Sequence, residues 1–287
     1  MKPVELSFHA AASIADAFVL LSSLGEDSKI IAGGQSLGPM LNYRVARPTN
    51  LVEIRRIADL RDIGRDTDSL RIGAAVPHST IEDWSGTSPL ERFLSGVAGG
   101  IAYRAIRNRG TIGGSLAHAD PAADWPVVVS ALNADLEIHS RERKRVVPAR
   151  EFFVDQMETV LAPEELLVSI CFAKGAPRKK YGYHKIVRKT GEFADSIAAV
   201  CLDLNVDGAI CEASVWLGAA LATPCQLPEV EALLTNRHVD DWCEKKIFEA
   251  VRDRLPAPES AYENYKIQLH CVAVVRALKD ALKVMPE

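Results

Sequence analysis

Arg107 to Asp124, R-N-R-G-T-I-G-G-S-L-A-H-A-D-P-A-A-D, is the stretch that decides how the rest of the sequence is interpreted. Adjacent Gly113 and Gly114 allow the backbone to turn where a side chain would clash. A run of exposed backbone N–H groups in such a turn forms a concave nest for an anion. Thr111 and Ser115 would add hydroxyl donors. Taken alone, the stretch is equally compatible with a tight turn between two strands.

A second stretch of the same chemistry lies upstream, at residues 30–41, I-I-A-G-G-Q-S-L-G-P-M-L. An apolar run leads into Gly33 and Gly34, and Ser36 follows. Two Gly-Gly segments with hydroxyls could hold the two ends of a pyrophosphate. Neither segment has the spacing G-x-G-x-x-G, and neither has the lysine of a P-loop. The sequence therefore favours a dinucleotide held by a fold other than the Rossmann unit.

The pair of motifs in this order, A-G-G-Q-S-L at 32–37 and T-I-G-G-S-L-A-H-A-D-P-A-A-D at 111–124, resembles a known family. These motifs are similar to those of the FAD-binding medium subunits of molybdenum hydroxylases. That family includes carbon monoxide dehydrogenase, the quinoline and nicotine hydroxylases and the FAD domain of xanthine dehydrogenase. The resemblance covers essentially the whole chain. It implies an α+β protein with a PCMH-type, vanillyl-alcohol oxidase-like FAD fold and noncovalently bound FAD.

The resemblance also implies which residues contact the cofactor. Those on the two Gly-Gly segments are Ala32, Gly33, Gly34, Gln35, Ser36 and Leu37, followed by Thr111, Ile112, Gly113, Gly114 and Ser115. Asp124 is expected to hydrogen-bond the ribityl chain or nearby backbone, although its residue type alone also fits a helix N-cap.

Three further positions are expected near the flavin ring. Lys185 would approach N1 and C2=O, where a cation raises the reduction potential; without the resemblance it would be a solvated strand residue. Leu167 would lie against the ring, and Phe193 would shield one face, although core packing explains Phe193 equally well. The chain departs from many carbon monoxide dehydrogenase-type subunits at Gln35, where they have His, and in H-A-D-P, where His118 fits hydroxylases of organic substrates.

Composition agrees with an ordinary soluble globular protein. The chain has 287 residues, of which 48% are hydrophobic and 25% charged, and its formal net charge is −4. This balance gives no indication of nucleic acid or anionic membrane as a partner. The six cysteines include no C-x-x-C pair, so we expect free thiols and no zinc or iron–sulfur site. No apolar signal core follows Met1, and we expect a cytoplasmic protein.

The order of patterns predicts three parts: a small α/β unit at 1–58, a middle unit with a mainly antiparallel sheet at 59–175, and a C-terminal unit at 176–287. The last is expected to combine a three-stranded sheet with a helical cluster, after a linker at 174–180. The predicted helices are a first one capped by Ser13 and ending before Gly25, then 89–104, 126–132, 229–234, 240–254 and 259–283. The predicted strands are 29–32, 51–54, 60–64, 69–76, 136–139, 146–147, 166–172, 181–187, 197–206 and 209–217, with hairpin turns at 141–145 and Asp207-Gly208.

The resemblance implies a function for this architecture. The chain would be an electron-transfer flavoprotein subunit with no catalytic or metal-binding residue of its own. The molybdenum cofactor would lie on a large partner that oxidises an N-heteroaromatic, aldehyde or CO-like substrate. Two-iron (2Fe-2S) clusters would lie on a small partner, and the assembly would be a dimer of heterotrimers. Two alternatives stay open: a stand-alone FAD oxidase or dehydrogenase, and a non-enzymatic assembly subunit whose Gly-Gly segments bind nothing.

Overall fold

The computed structural model describes residues 2–86, 88–174 and 178–282. Part of the predicted linker, residues 175–177, and the predicted helix end at 283 lie outside the described residues. Three sheets of three, five and four strands, together with one two-stranded ribbon, account for the described strands. The described part of the chain contains no helix long and apolar enough to cross a membrane.

The N-terminal unit is a parallel three-stranded sheet with two helices, in the strand order β1-β3-β2. Its elements are β1 (Ser7–Ala10), α1 (Ile14–Leu24), β2 (Ser28–Ile31), α2 (Leu37–Asn42) and β3 (Asn50–Glu53). As predicted, Ser13 caps α1, because its side chain accepts from the Asp16 backbone N–H, and Gly25 follows the helix with a φ of 72°. Sequence patterns missed β1, which is mostly exposed, and α2, which has only six residues.

The middle unit is an antiparallel sheet with helices on one face. Its elements are β4 (Ile63–Arg65), β5 (Ser69–Gly73), α3 (His78–Glu82), α4 (Pro89–Gly99), α5 (Arg104–Arg107), α6 (Ile112–His118), α7 (Asp124–Ala131), β6 (Asp135–His139), β7 (Lys144–Pro148), α8 (Ala149–Phe152), β8 (Phe153–Asp155), β9 (Glu158–Thr159) and β10 (Leu166–Ala173). The strand order β4-β5-β10-β6-β7 and the antiparallel pairing confirm the predicted sheet.

Two local predictions in the middle unit were wrong, and one alternative that the sequence left open is excluded. The expected strand at 60–64 is a 3-10 helix at Ala58–Arg61 followed by β4. The helix expected at 89–104 ends at Gly99, because the chain turns through Ala102, whose φ is 41°. The stretch 107–124 is no simple turn, since it contains α6.

The C-terminal unit is an antiparallel sheet of four strands rather than three. Its elements are β11 (Lys180–Ile186), β12 (Ser196–Leu204), β13 (Ile210–Gly218), β14 (Cys225–Gln226), α9 (Pro228–Leu234), α10 (Glu244–Arg254) and α11 (Ala261–Leu282). The fourth strand pairs only two residues with β13, too few for a sequence periodicity to predict. The Asp207-Gly208 hairpin is confirmed, with a φ of 80° at Gly208.

Two strands separate the three hydrophobic cores. On β10, Leu166 and Val168 face the core of the N-terminal unit, whereas Leu167, Ile170 and Phe172 belong to the central core. On β12, alternate residues likewise belong to the central core and to the core beneath α11. Because β10 and β12 each contribute side chains to two cores, the three predicted parts pack against one another. Their exact boundaries, 58/59 and 175/176, remain predictions.

Candidate functional site

The first Gly-Gly segment is an open turn between β2 and α2. Gly34 has a φ of 70°, which an L side chain rarely adopts. Among the described residues, no protein acceptor receives a hydrogen bond from the backbone N–H of Gly33, Gly34, Gln35 or Ser36. The Gln35 side chain instead donates to the Gly33 carbonyl. Four successive N–H groups therefore lack a protein acceptor, as in an anion-binding nest, and those of Gly34 to Ser36 belong to partly exposed residues.

The second Gly-Gly segment has a different structure from the one predicted. Gly113 and Gly114 form the first turn of α6, and their N–H groups are already bonded within the protein. Gly113 donates to the Ala74 carbonyl at 2.9 Å, and Gly114 donates to the Thr111 hydroxyl at 3.1 Å. The expected row of exposed donors is thus absent here, because Thr111 acts as a helix N-cap. What remains available is the exposed surface of Gly114 and the partly exposed Ser115, since Thr111 is buried and its hydroxyl caps α6.

The two segments lie against each other. A Cβ built on Gly33 would lie 2.1 Å from the Arg109 carbonyl oxygen and 2.7 Å from the Gly110 Cα. A Cβ built on Gly114 would lie 3.9 Å from the Ala32 Cβ. The N–H groups of the first segment and the hydroxyls of the second therefore belong to one locality, although more than seventy residues separate them in sequence.

Asp124 and Lys185, which the resemblance assigned to two different parts of the cofactor, contact each other. Lys185 Nζ lies 2.7 Å from Asp124 Oδ1 and also donates to the Gly100 carbonyl at 2.7 Å. Their side chains are only 10% (Asp124) and 12% (Lys185) exposed. Lys185 is therefore not a solvated strand residue. Asp124 is the first residue of α7 and is not its N-cap, which is Ala123.

Tyr183 completes this cluster and was missed by sequence reasoning. Its hydroxyl donates to the same oxygen of Asp124, at very short distance. Desolvation, and secondarily the Asp124 carboxylate, raises the pKa of Tyr183 well above its usual value, so the phenol stays protonated. The sequence did contain a signal for Tyr183. Residues two apart on a strand share a face, and Tyr183 precedes Lys185 by two.

The two other residues expected near the flavin ring, Leu167 and Phe193, differ in solvent exposure. Leu167 lies in the central core with 3% of its surface exposed. Phe193 is 66% exposed, so the alternative of core packing is wrong for this residue. Phe193 lies two residues beyond Gly191, where a built Cβ would clash with the Tyr103 ring at 2.5 Å. Whether Leu167 and Phe193 contact the flavin stays a prediction.

A buried histidine, His78, contacts the backbone at the start of the second segment. The His78 backbone N–H donates to the Gly110 carbonyl at 2.9 Å, and the ring contacts the Gly110 Cα side. Trp125 Nε1 donates to His78 Nδ1 at 3.1 Å. Burial, and then the nearby Arg107, lowers the pKa of His78 to about 4, so the ring is neutral at ordinary pH. His118, at the end of α6, also has a lowered pKa, mainly through burial.

Comparison with known proteins agrees with this geometry along the whole chain. Residues 4–172 match the family described as the FAD binding domain in molybdopterin dehydrogenase. Residues 181–281 match the CO dehydrogenase flavoprotein C-terminal domain.

Similar proteins of known name agree with these matches. The 6-hydroxypseudooxynicotine dehydrogenase complex subunit alpha of Paenarthrobacter nicotinovorans is 34% identical, covering 98% of this chain and 96% of that protein. The carbon monoxide dehydrogenase medium chain of Afipia carboxidovorans is 33% identical, covering 98% of both chains.

Solved structures show the same fold. A chain of carbon monoxide dehydrogenase from Hydrogenophaga pseudoflava superimposes with a TM-score of 0.91 at 31% identity, covering 98% of each chain. A chain of quinoline 2-oxidoreductase from Pseudomonas putida 86 gives 0.89 at 29% identity, also over 98% of each chain. This chain belongs to the FAD-binding medium subunits of the molybdenum hydroxylases, and the resemblance inferred from its two motifs is confirmed.

Proposed function

We propose that this chain binds FAD noncovalently and serves as the electron-transfer subunit of a molybdenum-containing hydroxylase or dehydrogenase. The observation that carries the proposal is the row of four unbonded N–H groups from Gly33 to Ser36, set against the second segment. A pyrophosphate is an anion of the size and charge that such a row binds. Gly34 has no side chain and is only partly buried, so phosphate oxygens can approach the N–H groups of this turn, whereas Gly33 packs against the Arg109 backbone.

The other candidate residues have distinct proposed roles around the cofactor. Ala32, Gln35, Ser36 and Leu37 shape the first segment, and Ile112 anchors the second beneath Thr111, Gly113, Gly114 and Ser115. Asp124 and Lys185 supply a paired anion and cation beside the ribityl chain and the ring. Leu167 and Phe193 supply apolar contacts to the ring. α6 (Ile112–His118) begins at the second segment and α7 begins at Asp124, so one short helix and one loop connect these two parts of the proposed site.

Bound FAD would supply the chemistry of collecting electrons singly and releasing them in pairs. The residues of this chain hold the cofactor and set the charge near its ring. We place the molybdenum cofactor and the 2Fe-2S clusters on a large and a small partner, since the similar proteins are named as medium chains or as subunits of complexes. We further propose a dimer of these heterotrimers, in the cytoplasm. The family matches to 4–172 and 181–281 support a domain division near 175/176.

The visible spectrum of the purified chain tests the proposal. Flavin absorption bands with noncovalent FAD are expected, and a colourless protein that does not take up added FAD would leave only the assembly-subunit alternative. A turnover assay of the flavin-loaded chain with candidate substrates and an artificial acceptor should show no activity. Turnover without partners would instead favour a stand-alone oxidase or dehydrogenase. Co-expression with the large and small subunits should restore turnover and yield a complex whose mass gives its stoichiometry.

A further inference from the structure

Asp124 receives both of its protein hydrogen bonds on one oxygen. The Tyr183 hydroxyl and Lys185 Nζ both end on Oδ1. Within the described part of the chain no protein donor reaches Oδ2, and the side chain keeps a tenth of its surface exposed. The carboxylate is therefore fixed in orientation, with one oxygen saturated by the protein and one oxygen free to accept.

Both residues that donate to Asp124 lie on one strand. Tyr183 and Lys185 are two residues apart on β11, so their side chains leave the same face of the sheet. Their backbone positions are fixed by pairing with Ala199 and Ile197 of β12. Lys185 is restrained a second time by the Gly100 carbonyl. Asp124 arrives from a different element, the first turn of α7. The C-terminal sheet thus holds a carboxylate that the middle unit supplies.

The chemistry of a free carboxylate oxygen determines which ligand group can bind to it. It accepts from hydroxyl or N–H donors and repels phosphate oxygens. A FAD molecule whose pyrophosphate lies at Gly33 to Ser36 carries its ribityl hydroxyls in the direction of the flavin ring. Asp124 precedes Trp125, whose Nε1 donates to His78, and His78 packs on Gly110 where the two segments meet, so Asp124 belongs to the same part of the molecule.

We propose that Tyr183 is a positioning residue for the cofactor: with Lys185 it holds Asp124 Oδ1, so that Oδ2 accepts a hydrogen bond from a ribityl hydroxyl. The inference rests on the proposed function. Tyr183 acts through Asp124: its hydroxyl restrains the rotation of the carboxylate by donating a hydrogen bond to Oδ1.

The test is the affinity of the full-length apo-chain for FAD and for FAD analogues that each lack one ribityl hydroxyl. Tyr183→Phe keeps the ring and removes only the donor. We expect this variant to bind FAD about tenfold more weakly than wild type, in line with hydrogen bonds to charged groups. For the analogue that lacks the accepted hydroxyl, wild type and variant should bind equally. A melting curve of each apo-protein, expected to be nearly unchanged, shows that the fold is retained.

Tyr181→Phe is the matched control, because Tyr181 lies two residues earlier on the same strand and stacks on Phe93. It should leave every affinity unchanged. The inference is overturned if Tyr183→Phe binds FAD as wild type does, or if it loses the same factor with FAD and with every analogue. If the wild-type chain itself fails to bind FAD, the proposed function falls and this inference with it. Binding by wild type with no analogue-specific loss overturns the inference alone.

Discussion

The two Gly-Gly segments have nearly the same sequence and opposite hydrogen-bonding states. At 33–36 the backbone N–H groups have no acceptor in the part of the chain that the structure describes, whereas at 112–115 each N–H is bonded, to Val76, Ala74 or Thr111. The first segment follows a strand and turns through a positive φ at Gly34. The second begins a helix that is capped by its own threonine.

This difference shows that a double glycine has two separate uses in one site. In the first segment Gly34 leaves donors uncovered, while Gly33 allows the close approach of the Arg109 backbone. In the second segment Gly113 allows close packing, since a Cβ built on it would lie 2.6 Å from the Ala74 carbonyl oxygen. We infer that the first segment binds the pyrophosphate through its backbone, and that the second positions the first and adds the Ser115 hydroxyl.

Gly33→Ala should have the largest effect, because it separates the two segments. The new Cβ would lie 2.1 Å from the Arg109 carbonyl oxygen, and this neighbour is backbone that cannot rotate away. Such overpacking costs up to about 3 kcal/mol, which corresponds to a melting temperature lower by roughly 10 °C. We also expect FAD binding to be lost. Calorimetry and the flavin spectrum measure the two effects.

Gly38→Ala is the control for this change. Gly38 lies in α2, and a Cβ there would have no neighbour within 4 Å. Since Ala is favoured over Gly in a helix by up to about 1 kcal/mol, the control should be as stable as wild type or slightly more stable. A Gly33→Ala protein with normal stability and full flavin would refute the close contact between the segments.

Substitutions at Gly113 and Gly114 should distinguish close packing from cofactor binding within the second segment. Gly113→Ala clashes with the Ala74 backbone and should lower the free energy of unfolding by about 2 kcal/mol. Gly114→Val points an exposed side chain toward Ala32 and displaces only the Thr111 hydroxyl, whose loss as a cap costs about 1 kcal/mol. Its main effect should be on FAD, which we expect to be absent from the purified variant. Full flavin occupancy in Gly114→Val would show that this face does not meet the cofactor.

The sequence predicted the fold and the position of the site better than the site's hydrogen bonds. The two motifs were sufficient for the family, and the apolar patterns located most strands. The carbonyls that satisfy Gly113 and Ile112 come from Ala74 and Val76, nearly forty residues away, and no local pattern reports such a contact. For the same reason the ion pair of Asp124 with Lys185, across 61 residues, was not anticipated.

Acid should weaken the contact of His78 with the second segment. The pKa of His78 is lowered from 6.5 to about 4, so the unfolded chain binds a proton before the folded one does. The stability that depends on neutral His78 is complete above pH 6.5 and is lost as the pH falls toward 4. The loss is about 3 kcal/mol.

His78→Asn keeps an acceptor for Trp125 and removes this titration. Denaturant unfolding between pH 4 and 7 should then show a shallower fall in the free energy of unfolding. His270 remains as an internal control, because burial also lowers its pKa to about 4 and it is bonded to Ser196 in the C-terminal unit. An identical pH profile for variant and wild type would mean that His78 is protonated without cost in the folded state.

Lys185→Met should have the smallest effect, and it should change the reduction potential of the flavin more than its binding. Removing the ammonium leaves the Asp124 carboxylate, still held by Tyr183, beside the ring. A cation at roughly 4 Å contributes on the order of 4 kcal/mol at an effective dielectric of 20, and pairing with Asp124 cancels most of this. With about 1 kcal/mol remaining, the two-electron midpoint should fall by about 20 mV, because the reduced anion loses a favourable charge. FAD affinity should fall by no more than in Tyr183→Phe, since Tyr183 still holds Asp124 and neither Gly-Gly segment is touched. Redox titration at one pH and salt concentration measures the shift, and Lys180→Met, on the opposite face of the same strand, should show none. A midpoint equal in Lys185→Met and wild type would mean that Asp124 neutralises Lys185 completely at the ring, so that the pair orients the cofactor and does not tune it.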